Sequence, residues 1–232
     1  MGFREKFVPG ERYHIYNRGT EKRKIFLGSR DYDRFLTLLY MSNGTEAVRI
    51  DNLVRNEQGS TLLKKTLQVD RGETLVDIAA YCLMPNHFHL LLREKEEGGV
   101  SRFMQKMTTA YTMYFNKRYD RTGALLQGKF KSQHAKDDRY LRYLIAYIHL
   151  NPIQLFETRW KEVGIKNKKG AEEFLDKYKY SSFLDFCKKD RDESVLVNPD
   201  AIPSYFDTPA DFKESMTGWL TYKNEQGSTL LK

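Results

Sequence analysis

The stretch from Tyr81 to Arg93, YCLMPNHFHLLLR, limits the possible folds more than any other part of the chain. It reads as two apolar runs joined by a turn built on Pro85 and Asn86, the pattern of a β-hairpin. Side chains alternate between the faces of a strand, so His87 and His89 project together while Phe88 points the other way into a core. Two imidazoles on one strand face can hold a single divalent metal ion. Standing alone, a His-x-His pair is more often an ordinary half-exposed strand face. The rest of the chain decides between the two.

Tyr13 to Tyr16 reads as a strand closed by Asn17-Arg18-Gly19. Asp31 to Met41 carries Phe35, Leu36, Leu38, Leu39 and Met41 at helical spacing, with Ser29 as the expected N-cap. Residues 43–74 are polar and weakly periodic, a long loop or an insertion with slight strand character. Leu75 to Met84 is an apolar, central strand, and the His87 strand is its hairpin partner. A helix over Ser101 to Arg118 follows, with Phe103, Met104, Met107, Ala110, Tyr111, Tyr114 and Phe115 on its inner face. Ala124 to His134 reads as a further strand. Asp137 or Asp138 then caps a helix that runs to about Asn151 and stops before Pro152.

This order predicts an α+β fold of the split βαβ kind: a ferredoxin-like or RRM-like four-stranded antiparallel sheet with helices on one face. The other face is expected to be free for a ligand, with the His pair on it. The predicted division is a domain over 1–155, in which 43–74 is the loop or insertion, and a helical and irregular C-terminal extension over 156–232. Short helices are expected in the extension at 171–178 and 210–221. The segment NEQGSTLLK occurs identically at 56–64 and 224–232, too short for a solenoid repeat.

The chain carries 39 Lys and Arg against 31 Asp and Glu, a formal net charge of +8, which favours an anionic partner such as nucleic acid. Between Lys117 and Arg139 there are seven basic and three acidic residues, interleaved with Tyr119 and Phe130. That mixture suits a phosphate backbone with stacked, unpaired bases. The DNA-binding candidates are Arg18, Lys117, Arg118, Arg121, Lys129 and Lys131. The cysteines, Cys82 and Cys187, lie far apart without metal-ligand spacing, so a reducing compartment is expected. No run approaches the roughly 18 apolar residues of a membrane span. A cytoplasmic location is the expectation.

The helix DDRYLRYLIAYIHLNP brings a second chemistry. Tyr143, Tyr147 and Asn151 follow one another at intervals of four residues and share a helix face. A phenol, with an unperturbed pKa near 10, is a poor nucleophile at neutral pH unless a metal activates its electrophile or a cation favours the phenolate. Aromatics at helical spacing are more often core, and Tyr140 and Tyr143 are read that way. Asn151 is a hard-oxygen candidate one turn from Tyr147, which with His87 and His89 suits Mg²⁺ or Mn²⁺.

The segments YHIYNRG (13–19), YCLMPNHFHLLL (81–92), FMQKMTTAYTMYFNKRY (103–119), GALLQGKFKS (123–132), YLRYLIAYIHLNPI (140–153) and KYSSF (179–183) together resemble the IS200-like, or Y1 tyrosine, transposases, and within them the REP-associated tyrosine transposases. The likeness covers about 13–185, and MPNH-x-H combined with Y-I-x-x-N-P is highly specific. It implies that His87 and His89 hold the metal, that Tyr147 is the single nucleophile, and that Asn151 matches a polar position that is Gln in some relatives. It further implies cleavage of single-stranded DNA beside a hairpin through a 5′-phosphotyrosine, followed by rejoining. The insertion at 43–74 and the tail after about 190 depart from the compact pattern and leave substrate choice, and monomer against homodimer, open. The rival readings are a non-catalytic RRM-like nucleic-acid-binding module and a replication-initiator or relaxase type nuclease.

Overall fold

The sheet begins with β1 (Arg12–Arg18), followed by α1 (Ser29–Met41) and a short α2 (Leu62–Thr66). The structure, a computed structural model, describes residues 6–46 and 62–221. Next come β2 (Val76–Met84), β3 (His87–Glu94), α3 (Gly99–Arg118), β4 (Lys131–His134) and α4 (Asp138–Leu150). The strands lie in the order β2-β3-β1-β4 and are antiparallel throughout, so β2, expected to be central from its apolar run, is an edge strand whose burial comes from cover by helices and the C-terminal segments. This is the α+β, four-stranded antiparallel architecture that the order of predicted elements implies.

Alternation along the strands builds two cores. Tyr13, Ile15, Tyr81, Leu83, Phe88, Leu90 and Leu92 face α1 and α3 and are almost fully buried. Phe88, at 0 % exposure, sits 5.2 Å from the ring of Phe35 on α1. Each fully buried Leu or Phe of this kind is worth roughly 1.5–3 kcal/mol against exposure. Ala80, Cys82, Met84 and Leu91 point the opposite way and pack under α4.

That second packing corrects the expectation of a free face. α4 lies across it, and the C-terminal segments complete the cover: α5 (Ile153–Phe156), α6 (Trp160–Val163), α7 (Lys168–Leu175), α8 (Phe183–Phe186) and α9 (Pro209–Thr221). Ala171, Leu175, Phe183, Phe212 and Met216 join the same core as Leu144 and Ile148 of α4. The physical reason is visible in β2, whose residues are buried along its whole length and so need cover on both faces.

The extension also meets the outer edge of β2. Leu83 N–H donates to Tyr180 O at 2.8 Å, Ser182 N–H to Tyr81 O at 2.9 Å, and Tyr81 N–H to Ser182 Oγ at 2.9 Å. Arg191 fixes this contact by donating to Asp185, to the Ser181 and Lys179 carbonyls, and to the Tyr81 hydroxyl. Further on, Asn198 N–H donates to Ile78 O at 2.9 Å.

Several local expectations change. The N-cap of α1 is Gly28, and the helix start is held from inside by Asp31, whose carboxylate accepts from Leu27 N–H at 2.7 Å and Gly28 N–H at 3.1 Å. Residues 124–130 do not continue the last strand: Gly123 and Gly128 adopt φ of +80° and +66°, and β4 begins at Lys131. Within 43–74, Leu62–Thr66 is helical and packs on α1, with Asp33 accepting from Leu62 N–H at 3.1 Å. Residues 47–61 and 222–232 lie outside the described residues, and with them 56–61 of the first NEQGSTLLK copy and all of the second. Asp137, not Asp138, caps α4, accepting from Tyr140 N–H at 2.8 Å.

Candidate active site

The face of the sheet under α4 carries a histidine cluster. β3 contributes His87 and His89, and β1 contributes His14, Tyr16 and Arg18. In register, Tyr16 stands opposite His89 and Arg18 opposite His87. Gly19 ends β1 in close quarters: a Cβ there would fall 2.3 Å from the Arg23 carbonyl oxygen. That fixes the chain just beside the hairpin turn, where Gly19 N–H donates to Asn86 O at 2.9 Å.

The imidazoles are held from behind. His87 Nδ1 lies 2.6 Å from Asn86 Oδ1, and His89 Nδ1 lies 2.9 Å from His14 Nε2. Asn86 Oδ1 only accepts, so His87 carries its proton on Nδ1 and leaves a lone pair on Nε2. His89 Nε2 is buried and has no hydrogen-bond partner. When Nε2 of His89 offers its lone pair, Nδ1 holds the proton and donates to His14 Nε2. Burial keeps all three rings neutral at pH 7: it pulls His14 down to about 3 and His87 to about 4, and holds His89 well below the usual range.

α4 lowers Tyr147 onto this cluster. Its ring centroid is 5.3 Å from that of His89 and 6.0 Å from that of His14, in edge contact with both. The helical spacing stacks Tyr143 on Tyr147 at 6.0 Å and Tyr140 on Tyr143 at 6.1 Å, so the three rings form one column. Tyr140 and Tyr143 are buried in the core, and Tyr147 at the end of the column is half-buried. Burial raises the Tyr147 phenol above its ordinary pKa, and a hydrogen bond from the Asn151 side chain opposes that rise. Asn151 closes α4, and its Nδ2 donates to the Tyr147 carbonyl at 2.9 Å.

The family model for IS200-like transposases matches residues 10–151, which span all four strands and end at Asn151. The chain belongs to the IS200-like transposase family. Compared with curated proteins, the sequence finds no match. Among solved structures it is similar to one described as a REP-associated tyrosine transposase bound to a REP hairpin, at 14 % identity and a TM-score of 0.48, over 89 % of this chain and 94 % of that one.

The donor atoms of this transposase fit a divalent ion. Nε2 of His87 and Nε2 of His89 sit on one strand face with their other nitrogens already engaged, which is the arrangement that orients metal-binding imidazoles. Among the described residues, no group of three or more His, Cys, Asp or Glu converges to hold a metal, so a complete shell would need oxygen from Asn151, from water or from a substrate. Cys82 stands opposite His89 in register, but burial pushes its thiol pKa up, so it is a packing residue.

The basic candidates divide. Arg18 and Lys131 flank the His face, Lys131 standing opposite Tyr16 on β4, and Lys129 is exposed just before that strand. Arg18 donates to Gln127 Oε1 at 2.5 Å. Lys117 and Arg118 lie instead at the end of α3, in the helical layer beyond the opposite face, and Arg121 in the turn just after it. There Arg118 bonds the Tyr119 hydroxyl at 3.1 Å and sits 3.5 Å from Asp31, while Arg121 donates to Asn116 at 3.2 Å. The expected continuous patch is thus two groups on different layers.

Sequence reading missed two residues of the site. His14 is buried at 1 % exposure behind His89, and its signal was the alternation in Tyr13-His14-Ile15-Tyr16, which puts His14 opposite Ile15. Lys161 on α6 sets its ammonium 4.4 Å from the centre of the Tyr147 ring. Nothing in the Lys-rich sequence after Trp160 distinguishes it from its neighbours. Among the described residues no helix is long and apolar enough to cross a membrane.

Proposed function

We propose that this transposase cleaves and rejoins single-stranded DNA through a covalent bond between Tyr147 and a 5′ phosphate, at hairpin-bearing repeat sequences. The observation that carries the reading is the edge contact of Tyr147 with His89, 5.3 Å between ring centres within one chain. It supports action in cis, with nucleophile and histidines from the same copy. A Mg²⁺ or Mn²⁺ ion held by Nε2 of His87 and His89, with Asn151 as an oxygen donor, would supply charge neutralisation at the scissile phosphate.

The chain's own residues do the rest. The raised pKa leaves Tyr147 protonated at neutral pH, so attack on phosphorus requires loss of that proton, which the Asn151 hydrogen bond favours. The Oη–P bond forms, the P–O3′ bond breaks, and the departing O3′ takes up a proton. The phosphotyrosine conserves the bond energy, so a second strand's 3′-OH reverses the step without ATP. Arg18, Lys129 and Lys131 hold the backbone approaching the His face, and Lys117, Arg118 and Arg121 hold a more distant part of the same strand or hairpin. The hairpin preference rests on the likeness of the sequence motifs to REP-associated tyrosine transposases.

The test is incubation of wild-type protein and Tyr147→Phe with labelled single-stranded hairpins and Mn²⁺, followed by denaturing electrophoresis. Wild type forms a protein–DNA adduct, Tyr147→Phe binds DNA but forms none, and Tyr143→Phe keeps at least part of it. An adduct mapped by peptide sequencing to another tyrosine would overturn the assignment. Tight DNA binding by wild type with no adduct on any hairpin would favour the non-catalytic module.

A further inference from the structure

Lys161 lies ten residues beyond the family-matched segment, which ends at residue 151, yet its ammonium sits over the face of the Tyr147 ring at 4.4 Å. Lys161 is exposed as a whole residue, while its ammonium packs on that ring. The ammonium loses enough water to lower its pKa to about 8, so it is still largely cationic at pH 7. Among the described residues no carboxylate pairs with it; the adjacent Glu162 is engaged by Arg159 at 2.9 Å. Its charge presses on His87 and His89 and helps to keep both neutral. Arg18, opposite His87 in register, does the same to His87. Two cations drawn from distant parts of the chain therefore act on His87, and one of them also on His89, with no anion among the described residues paired with Lys161.

We infer that Lys161 is a catalytic residue of the C-terminal extension: its ammonium contacts a non-bridging oxygen of the scissile phosphate and holds that phosphate against Tyr147. The inference rests on the proposed cleavage reaction and adds a residue to it. A phosphate diester brings the missing negative charge to a place that already has a cation on the nucleophile's flank and two neutral imidazoles beside it. In the transition state, charge grows on the non-bridging oxygens as Oη–P forms and P–O3′ breaks, and an ammonium already in place needs no reorganisation. Lys161 exchanges no bond or proton in this scheme. The C-terminal extension would then complete the active site as well as cover the sheet.

A plain cation–π contact would give the same distance, so the experiment must separate the two. Single-turnover adduct formation is measured at saturating hairpin DNA and Mn²⁺ for wild type, Lys161→Met and Lys161→Arg, alongside DNA affinity and melting temperature. Lys161→Met keeps the stem and removes the charge. It is expected to slow the adduct step by roughly 10- to 100-fold, with DNA affinity within about threefold and an unchanged melting temperature. Lys161→Arg is expected to recover most of the rate. Adduct formation by Lys161→Met at the wild-type rate would overturn the inference while leaving Tyr147 chemistry intact. A loss confined to DNA affinity, or a loss in both variants with a lowered melting temperature, would overturn it as well. Failure of wild type itself to form an adduct would remove the proposed reaction, and this inference with it.

Discussion

Replacing His14 by Phe isolates the hydrogen bond behind His89. The native ring is buried, stacks on His89 at 5.0 Å and on Tyr16 at 4.9 Å, and meets His89 Nδ1 through its Nε2 at 2.9 Å. Phenylalanine keeps an aromatic ring in both stacks and removes the acceptor. His89 then has no partner to fix its proton on Nδ1, so its Nε2 lone pair is no longer reserved for a metal. Losing such a supporting contact typically lowers metal affinity about 10- to 100-fold, or about 1.4–2.7 kcal/mol. The stability change should be smaller. One buried hydrogen bond disappears, at about 0.5–1.5 kcal/mol, but so does His14 Nδ1, a buried nitrogen with no partner. Titration calorimetry with Mn²⁺ and urea unfolding separate these effects. His14→Gln, which can restore an acceptor, should recover part of the affinity. Unchanged Mn²⁺ affinity in His14→Phe would refute the argument, and so would a loss explained entirely by unfolding.

Other consequences are open to direct measurement. Arg191→Ala strips the partner from Asp185, a pair at 11 % and 6 % side-chain exposure, and breaking a buried pair from one side should cost about 3–5 kcal/mol in urea unfolding; a change below about 1 kcal/mol would mean that Arg191 does not anchor the extension. Burial holds His14 and His149 at about 3 and His87 at about 4, all below the unfolded value of about 6.5, so the unfolded chain takes up protons first as pH falls. The metal-free protein should therefore lose stability from about pH 6.5 down towards about pH 4; equal urea midpoints at pH 7.5 and pH 5 would contradict this. Lys131→Ala should weaken binding to all hairpins alike and reduce the salt slope by about one, whereas a sequence-dependent loss would remove Lys131 from the backbone path.

Local periodicity made half of the site legible. The two-residue repeat of a strand put His87 and His89 on one side and Phe88 on the other, and the helical repeat put Tyr147 on the face it shares with Tyr143 and Asn151. Each pattern is written within a few residues of chain. His14 was not legible because its partner is chosen by topology: only once β1 lies beside β3 does it reach the ring of His89. Lys161 was hidden because its position depends on how the chain turns back after Pro152. The strand expected over 124–134 failed for a local reason. Leu125 and Leu126 are buried as a strand's residues would be, but Gly128 adopts a left-handed conformation before the ladder starts. The open face was an inference from counting elements up to α4, and the apolar residues of the extension, Phe183, Phe212 and Met216, fill the place assigned to ligand.

The pairing of Tyr180–Ser182 with β2 bears on where the protein can be cut and how it can assemble. β2 is the outermost strand on its side of the sheet, and an outer strand with bare amides and carbonyls is a template on which other chains polymerise. A chain trimmed to residue 151, where the family match stops, would retain β1 to β4 and all three histidines of the cluster. It would also present the edge of β2 and the apolar underside of α4 to every other molecule in solution. Such a fragment should precipitate rather than behave as a minimal nuclease. In the intact chain that edge is closed from within, so a second copy could not join there by extending the sheet and would have to meet the first through the β4 side or through helices.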